Sequence, residues 1–511
     1  MPRPNILLIT SDQQHYNALG VTNPEIKTPA LDRLAREGTR YTRAYCPNPT
    51  CSPTRASLIT GLYPSSHGCW AIGVKLPEDV PTVGDLFQSH GYESILIGKA
   101  HFQPLASRPG IESIESQPLM RDLAFWRDFQ GPWYGFNHVE TGRMHANESH
   151  AGQHYGLWME EKGLHNWRDY FTDWPHRPDD KYAGPYYMRD ALTWDLPEEY
   201  HHTHWVGERT IANIERCVAE EKPFLLWASF FDPHPPYVVP EPWASMYDPA
   251  QLTLPRHTPS EFDDKPPHFG KTQEQNPDWS AYQEPGGQSL HGFHSHLHTE
   301  AEMRRSLAAY YGMTSLIDQE VGRILDYLDT KGLAENTLVV YTTDHGHFLG
   351  QHGLIAKGAF HYEDLLRVPM IVRQPGTVPA GEVSDALQSL VDYPQTFLAA
   401  ASIDAPGLMQ GVNQLAVWQG QAEQARDWAL VENRHNPTRV HLRTLITDRY
   451  KITVYRDADY GELFDLAQDP GELHNCWADP AYHTIKAELL LNFVQAEIQR
   501  EMTRMPRIAG A

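Results

Sequence analysis

Four short polar clusters each follow an apolar run: Ser11-Asp12-Gln13, Lys99-Ala100-His101, Asp232-Pro233-His234 and Thr343-Asp344-His345. If the runs are strands of one open α/β sheet, the clusters converge outside its carboxyl edge, where such sheets bind ligands. A single strand-end aspartate is more often a turn former or helix cap, and any one of 28 histidines is ordinarily structural. Four coincidences in one geometry favour a site. Asp12, Gln13, Asp344 and His345 would supply hard oxygen donors and one nitrogen. That set suits one divalent metal ion, with Ca²⁺ the first choice and Mn²⁺ the alternative, and is too oxygen-rich for a structural zinc site.

A second chemistry is offered by Cys51-Ser52-Pro53-Thr54-Arg55. Ser52 is expected to cap a helix that starts at Pro53, which needs no amide hydrogen there, and stops at Gly61. Cys51 then lies at a positive helix end, where a thiolate or a bound tetrahedral anion is stabilised. Arg55, one turn on, can fork onto oxygens at the same end. An ordinary capped helix with a buried thiol fits the residues equally well.

The elements that must hold these residues are visible as hydrophobic patterns. Asn5 to Thr10, Ser94 to Gly98, Pro223 to Phe231 and Thr337 to Thr342 are continuously apolar or β-branched, as in parallel strands covered on both faces. Helical periods occupy 28–37 and 302–330. Between Phe125 and Trp205 lie 18 aromatic residues and 9 histidines in 81 positions without a clear period. This insertion could wall a pocket or simply cover the core. Pro255 to His298 reads as a long surface excursion.

Near residue 425 the pattern changes to alternating runs, Arg439 to Ile446 and Tyr450 to Tyr455. Gly461 to Leu466 follows, then a terminal helix with apolar positions at 485, 489, 493, 494 and 498. The expected division is a large α/β catalytic domain over 1–425 and a small α+β domain over 426–511, with an antiparallel sheet and a helix.

The chain has 511 residues, 41% of them apolar, and carries 42 basic against 65 acidic side chains, a formal charge of −23. That is ample for a core and argues against nucleic acid or an anionic membrane as partner. No run approaches the ~20 apolar residues of a membrane span. The start, Met1-Pro2-Arg3-Pro4-Asn5, enters a short strand at once and carries no export signal, so a cytoplasmic protein is expected. Five unclustered cysteines do not make a disulfide framework.

Cys51-Ser52-Pro53-Thr54-Arg55 resembles the signature of the sulfatase family, in which the cysteine is oxidised after translation to formylglycine. The resemblance runs the length of the chain. Asn5 to Gln13 looks like the family's first strand and metal loop, Ser57 to His67 continues the signature, and Gly98-Lys99-Ala100-His101 resembles a further family element. Asp344-His345-Gly346 with Lys357 resembles the second metal loop and its following lysine, and Gly461 to Leu466 with Asp469 to His474 looks like the family's C-terminal ending. The implied fold is an alkaline-phosphatase-like three-layer α/β/α sandwich. The implied activity is hydrolysis of a small-molecule sulfate monoester by a metal-bound hydroxyl of hydrated formylglycine at position 51. A formylglycine-generating enzyme, or an equivalent, is the implied maturation partner.

By the same resemblance Asp12, Gln13, Asp344, His345 and modified residue 51 hold the metal, Arg55 and Lys99 orient the hydrated aldehyde, and His101 assists its breakdown. His234 and Lys357 face the leaving oxygen or the sulfate. Two positions depart from the common pattern, since many sulfatases have Asp where this chain has Gln13 and Asn where it has His345. The Gln and His choices resemble phosphonate monoester hydrolases, which also use formylglycine, whereas Lys99 and His101 resemble sulfatases. Phosphonate monoester or phosphodiester hydrolysis by the same nucleophile is therefore the alternative. A zinc site at His201-His202-Thr203-His204 is a weaker candidate, because adjacent histidines on different faces rarely co-ligate. The alcohol half of the ester is open between an aryl group, a quaternary ammonium and other alcohols. The oligomeric state is also open, since the terminal helix could pack on its own domain or on a second copy in a homo-oligomer.

Overall fold

The computed structural model describes residues 3–172, 192–275, 277–282, 298–434 and 439–502. Parts of the aromatic insertion and of the Pro255–His298 excursion (residues 173–191, 276 and 283–297) lie outside the described residues, as do residues 435–438 and both ends of the chain.

The main sheet has nine strands: β1 (Asn5–Ser11), β2 (Thr39–Tyr45), β3 (Glu93–Lys99), β4 (His138–Gly142), β5 (Phe224–Ser229), β6 (Thr337–Thr343), β7 (Arg367–Arg373), β8 (Glu382–Ser384) and β9 (Gln388–Ser389). Their spatial order is β8-β2-β7-β6-β1-β5-β3-β4, with β9 also beside β2. The four strands expected from sequence are the central run β6-β1-β5-β3, all parallel, with Ile6 opposite both Leu225 and Leu338. Every residue of these four strands is buried, which is why they read as unbroken apolar runs.

The strands not expected are the outer ones. β2 alternates Thr, Arg and Tyr and is only partly buried. β7 runs antiparallel to both neighbours and carries Pro369 where its register against β2 shifts between Val368 and Met370.

Helices α1 (Pro29–Glu37), α2 (Cys51–Thr60), α3 (His202–Ala219) and α4 (Glu300–Thr330) cover the sheet. Leu31 and Leu34 of α1, Ile214 of α3 and Ile317, Val321 and Ile324 of α4 share one core with Leu7 and Ile9 of β1. Ala56, Leu58 and Ile59 of α2 join Ile6 and Leu8 on the other face. This is the three-layer α/β/α sandwich. Among the described residues of the aromatic insertion, Trp126, Trp167 and Trp205 are fully buried, so this part mostly serves the core.

A second sheet follows as an antiparallel meander of β10 (Ala429–Arg434), β11 (His441–Ile446), β12 (Tyr450–Tyr455) and β13 (Gly461–Asp465). The terminal helix α5 (His483–Gln499) packs Leu489 and Phe493 on Leu430, Leu445 and Ile452. Val494 and Ile498, apolar positions of the same helix, instead face outward at 56% and 59% exposure. All five cysteines are free thiols, and no helix among the described residues is long and apolar enough to cross a membrane.

Candidate active site

Parallel alignment of β6, β1, β5 and β3 brings their carboxyl ends side by side, and α2 aims its first turn at the same edge. Helix α2 begins at Cys51, two residues earlier than expected, and its N-cap is Thr50, not Ser52. Thr50 is extended at φ −139° and ψ 150°, and Pro53 falls in the first turn, where an amide hydrogen has no helical acceptor in any case. Gly61 ends the helix as expected, left-handed at φ +66° with its N–H on Ser57 O.

Cys51 is buried, and its Sγ lies 3.2 Å from Lys357 Nζ, 3.3 Å from His345 Nε2 and 3.7 Å from Asp12 Oδ1. Possible ligand atoms of Asp12, Cys51, Asp344 and His345 all fall within 4.8 Å of one another. Gln13 stands beside them in a left-handed conformation, φ +63°. Its backbone N–H donates to Asp344 Oδ1 at 2.9 Å, and its amide group meets His347 Nδ1 at 2.6 Å. The amide oxygen of Gln13 is thereby left buried with no hydrogen-bond partner among the described residues. An orphaned buried oxygen beside two carboxylates and an imidazole nitrogen fits a hard divalent cation.

The positive side of the site is equally dense. Arg55 donates through Nε to Asp344 Oδ2 at 2.8 Å and through Nη1 to Lys99 O and Ser229 Oγ at 2.9 and 2.7 Å. Its guanidinium also lies 5.7 Å from the Trp227 ring centre. Lys99 pairs with Asp12 and meets His145 Nε2 at 2.7 Å. Gly98 lets β3 come this close to β5, since a Cβ there would lie 1.9 Å from Ser229 O. Lys357 Nζ is 3.3 Å from His234 Nε2. His101 is buried at φ +60°, its N–H donating to Glu115 Oε1 at 3.0 Å, while both ring nitrogens lack partners among the described residues.

These charges move the protonation equilibria. Burial pushes the Cys51 thiol up, but Lys357 and Lys99 outweigh it and bring the thiol down to about 6. Burial likewise opposes ionisation of Asp12, yet Lys99, His234, His145 and Arg55 hold its carboxyl well below the usual range. His234 is driven well below the ordinary imidazole value by burial, His145 and Lys357, so its ring is neutral.

Two contributors were not expected from sequence. His145 stacks on His234 with ring centres 3.7 Å apart and planes at 14°, and its Nδ1 meets Glu148 Oε2 at 2.9 Å. His347 is held between Gln13 and Tyr237 OH, the latter at 2.6 Å, and stacks on Tyr310. His347 follows the Asp344-His345-Gly346 loop by one residue and could have been suspected. His145 had no local signal beyond the histidine-rich character of its segment.

Asp232 turns away from the centre, and burial raises its carboxyl to about 8. It accepts Thr203 Oγ1 at 2.7 Å and faces His201 and His202. The suspected histidine trio is divided, because His204 leaves to pair with Glu320 at 3.0 Å. His201 Nδ1 accepts the Thr203 N–H at 3.2 Å, so in its neutral ring Nε2 carries the hydrogen and offers no lone pair to zinc.

Comparison with known proteins places this geometry. The family model described as Sulfatase matches residues 4–403, and one described as N-sulphoglucosamine sulphohydrolase, C-terminal, matches 350–499. An arylsulfatase of Clostridium perfringens is 29% identical over 93% of this chain and 90% of its own length. The multifunctional alkaline phosphatase superfamily protein PehA of Trinickia caryophylli is 26% identical over 99% and 97% of the two chains. The structure of a phosphonate monoester hydrolase from Silicibacter pomeroyi superposes with a TM-score of 0.77 at 23% identity, covering 98% of this chain and 96% of the other. That last likeness speaks to the fold alone.

Proposed function

The chain belongs to the sulfatase family and is a sulfuric ester hydrolase, and we propose that it cleaves sulfate monoesters at residue 51 after conversion of Cys51 to formylglycine. The observation that carries this reading is the position of Cys51 Sγ, at the first turn of α2 between Lys357 at 3.2 Å and the Asp12–Asp344–His345 cluster. Formylglycine would supply a hydrated aldehyde with two hydroxyls, one to attack sulfur and one whose deprotonation releases sulfate. A divalent ion held by Asp12, Gln13, Asp344 and His345 would supply positive charge against the sulfuryl oxygens.

The chain's own residues account for the remaining steps. Arg55, locked by Asp344, Lys99 O and Ser229, and Lys99, locked by His145, fix the orientation of residue 51. His234 donates Nδ1–H to Pro235 O at 2.5 Å, which leaves the Nε2 lone pair for Lys357. With the His234 ring neutral, Lys357 is the cation of the pair and the group that stabilises or protonates the departing alkoxide. His101, whose ring nitrogens have no hydrogen-bond partner among the described residues, would take the second hydroxyl proton.

A second reading, hydrolysis of phosphonate monoesters or phosphodiesters, is favoured by Gln13 and His345. With those two neutral donors, Asp12 and Asp344 balance a divalent ion, and a monoanionic phosphorus ester meets the same charge as a sulfate ester.

Mass spectrometry of the tryptic peptide Ala44–Arg55 from active protein tests the nucleophile. Loss of the Cys51 thiol and appearance of an aldehyde are expected, and a fully unmodified peptide with undiminished activity refutes the reading. Cys51→Ala should abolish hydrolysis of aryl sulfates and phosphonate esters together, and loss of only one would mean two separate sites.

A further inference from the structure

The C-terminal sheet carries a cluster of cations that the chemistry above does not use. Arg434 pairs in register with His441, Glu432 with Arg443, and the Arg456 N–H donates to His441 O at 2.9 Å. Alternation along the strands therefore puts Arg434, His441, Arg443 and Arg456 on one face. Helix α5 covers the apolar end of that face, over Leu430, Leu445 and Ile452. Beyond the helix the face opens into a cleft of about 530 Å³ that also takes in Asn48 and Trp70.

The balance of charge in this cleft is positive. Arg443 is engaged by Glu497 at 2.7 Å. Glu432, the cleft's carboxylate, is neutralised by Arg500 and by the N–H and hydroxyl of Ser65, both at 2.8 Å. Arg434 stacks 3.9 Å over Trp70 and pairs with no carboxylate among the described residues. Arg456 meets Asp457 at 3.3 Å with side chains 56% and 86% exposed, a pair that water screens and that leaves the guanidinium free to accept a better partner. The His441 imidazole registers the field: burial first, then Arg456 and Arg434, push it down to about 4. Such a patch is out of keeping with a chain of net charge −23.

Residues that line the cleft also belong to, or touch, the segments that carry the reacting centre. Asn48 precedes Cys51 by three residues, a span of at most about 11 Å. Asn433, on the opposite face of β10, donates to Gly358 O at 3.4 Å, one residue from Lys357. Asn48 and Asn433, both lining the cleft, thus tie it to the segments that carry Cys51 and Lys357.

We infer that this cleft receives the alcohol half of the ester, and that this alcohol carries a second anionic group, a carboxylate or a second sulfate, held by Arg434 and Arg456. The inference rests on the sulfatase reading and narrows its substrate class to dianionic esters. A planar guanidinium offers paired N–H donors to either oxyanion, and Arg434 is already oriented by its stack on Trp70.

The test compares 4-carboxyphenyl sulfate with its neutral isostere 4-carbamoylphenyl sulfate. At low ionic strength kcat/KM should favour the carboxylate by about tenfold despite the acidic surface, and the ratio should shrink in high salt. In the double variant Arg434→Ala/Arg456→Ala, with melting temperature checked, the ratio should fall close to one. Equal rates in the wild type, or a preference that survives in the folded double variant, overturns the inference. If the wild type hydrolyses neither ester nor 4-nitrophenyl sulfate, the sulfatase reading has failed instead. Calorimetric binding of the two intact esters to Cys51→Ala then decides the cleft by itself, with equal affinities counting against it.

Discussion

Before maturation, Cys51 should behave as an acidic thiol although it is fully buried. A thiol moved from 9.0 to about 6 corresponds to about 4 kcal/mol in favour of the thiolate. Lys357 Nζ, 3.2 Å from Sγ, contributes about 5 kcal/mol at an effective dielectric constant of about 20. That single charge can therefore supply the whole displacement, with Lys99 offsetting burial and the two carboxylates. Cys46, Cys69, Cys217 and Cys476 are all shifted upward, so below pH 8 the thiolate absorbance at 240 nm reports Cys51 alone. Unmodified protein, produced without the maturation system and stripped of metal, should titrate near pH 6, and Cys51→Ala should lose that step. In Lys357→Met the step should move above pH 8. The sign for stability follows: the folded value lies below the unfolded one, so the contribution is complete above the unfolded value and is lost as pH falls through about 6. A step that stays near 6 in Lys357→Met, or a wild-type step near 9, would refute this account of the site's electrostatics.

Removing a carboxylate from the metal set should remove the metal: Asp12→Asn is expected to bind substoichiometric divalent ion by elemental analysis and to lose activity. Full metal content would instead show that the ion is held elsewhere. His145→Ala should lower kcat about 10- to 100-fold, the usual loss when a group that holds a site residue is removed, with KM little changed and partial rescue by His145→Gln; a loss confined to KM would show that His145 contacts substrate. Asp232 binds its proton more tightly folded than unfolded, so wild-type stability should fall as pH rises from the ordinary carboxyl range through about 8. Asp232→Asn, which can still accept from Thr203, should melt higher than wild type at pH 8 and equally at pH 4, and an unchanged melting temperature at pH 8 would contradict the raised value.

How much was legible in the sequence follows from what kind of signal each part leaves. The central strands β6, β1, β5 and β3 are buried on both faces, so their identity is written locally as apolar runs, and their polar endings Asp12, Lys99, His234 and Asp344 could be read with them. Cys51 to Arg55 was legible because its spacing is fixed by one helical turn, although the helix start fell two residues from the expected place. The outer strands β2 and β7 were not legible, since partial burial of β2 and Pro369 in β7 blur the period. His145 reaches Lys99 from 46 residues away and His347 reaches Gln13 from 334, separations at which no local pattern survives. The terminal helix shows the same limit in reverse, because its period marked Val494 and Ile498 as apolar but could not say that they face outward. The sequence by itself determined which residues can do chemistry, because side-chain type and near-neighbour spacing are local properties. Only the tertiary structure decided which of 28 histidines stand at the nucleophile, that Asp232 faces away from it, and that arginines of the C-terminal sheet gather into one positive cleft, because those facts depend on contacts between segments the chain itself keeps far apart.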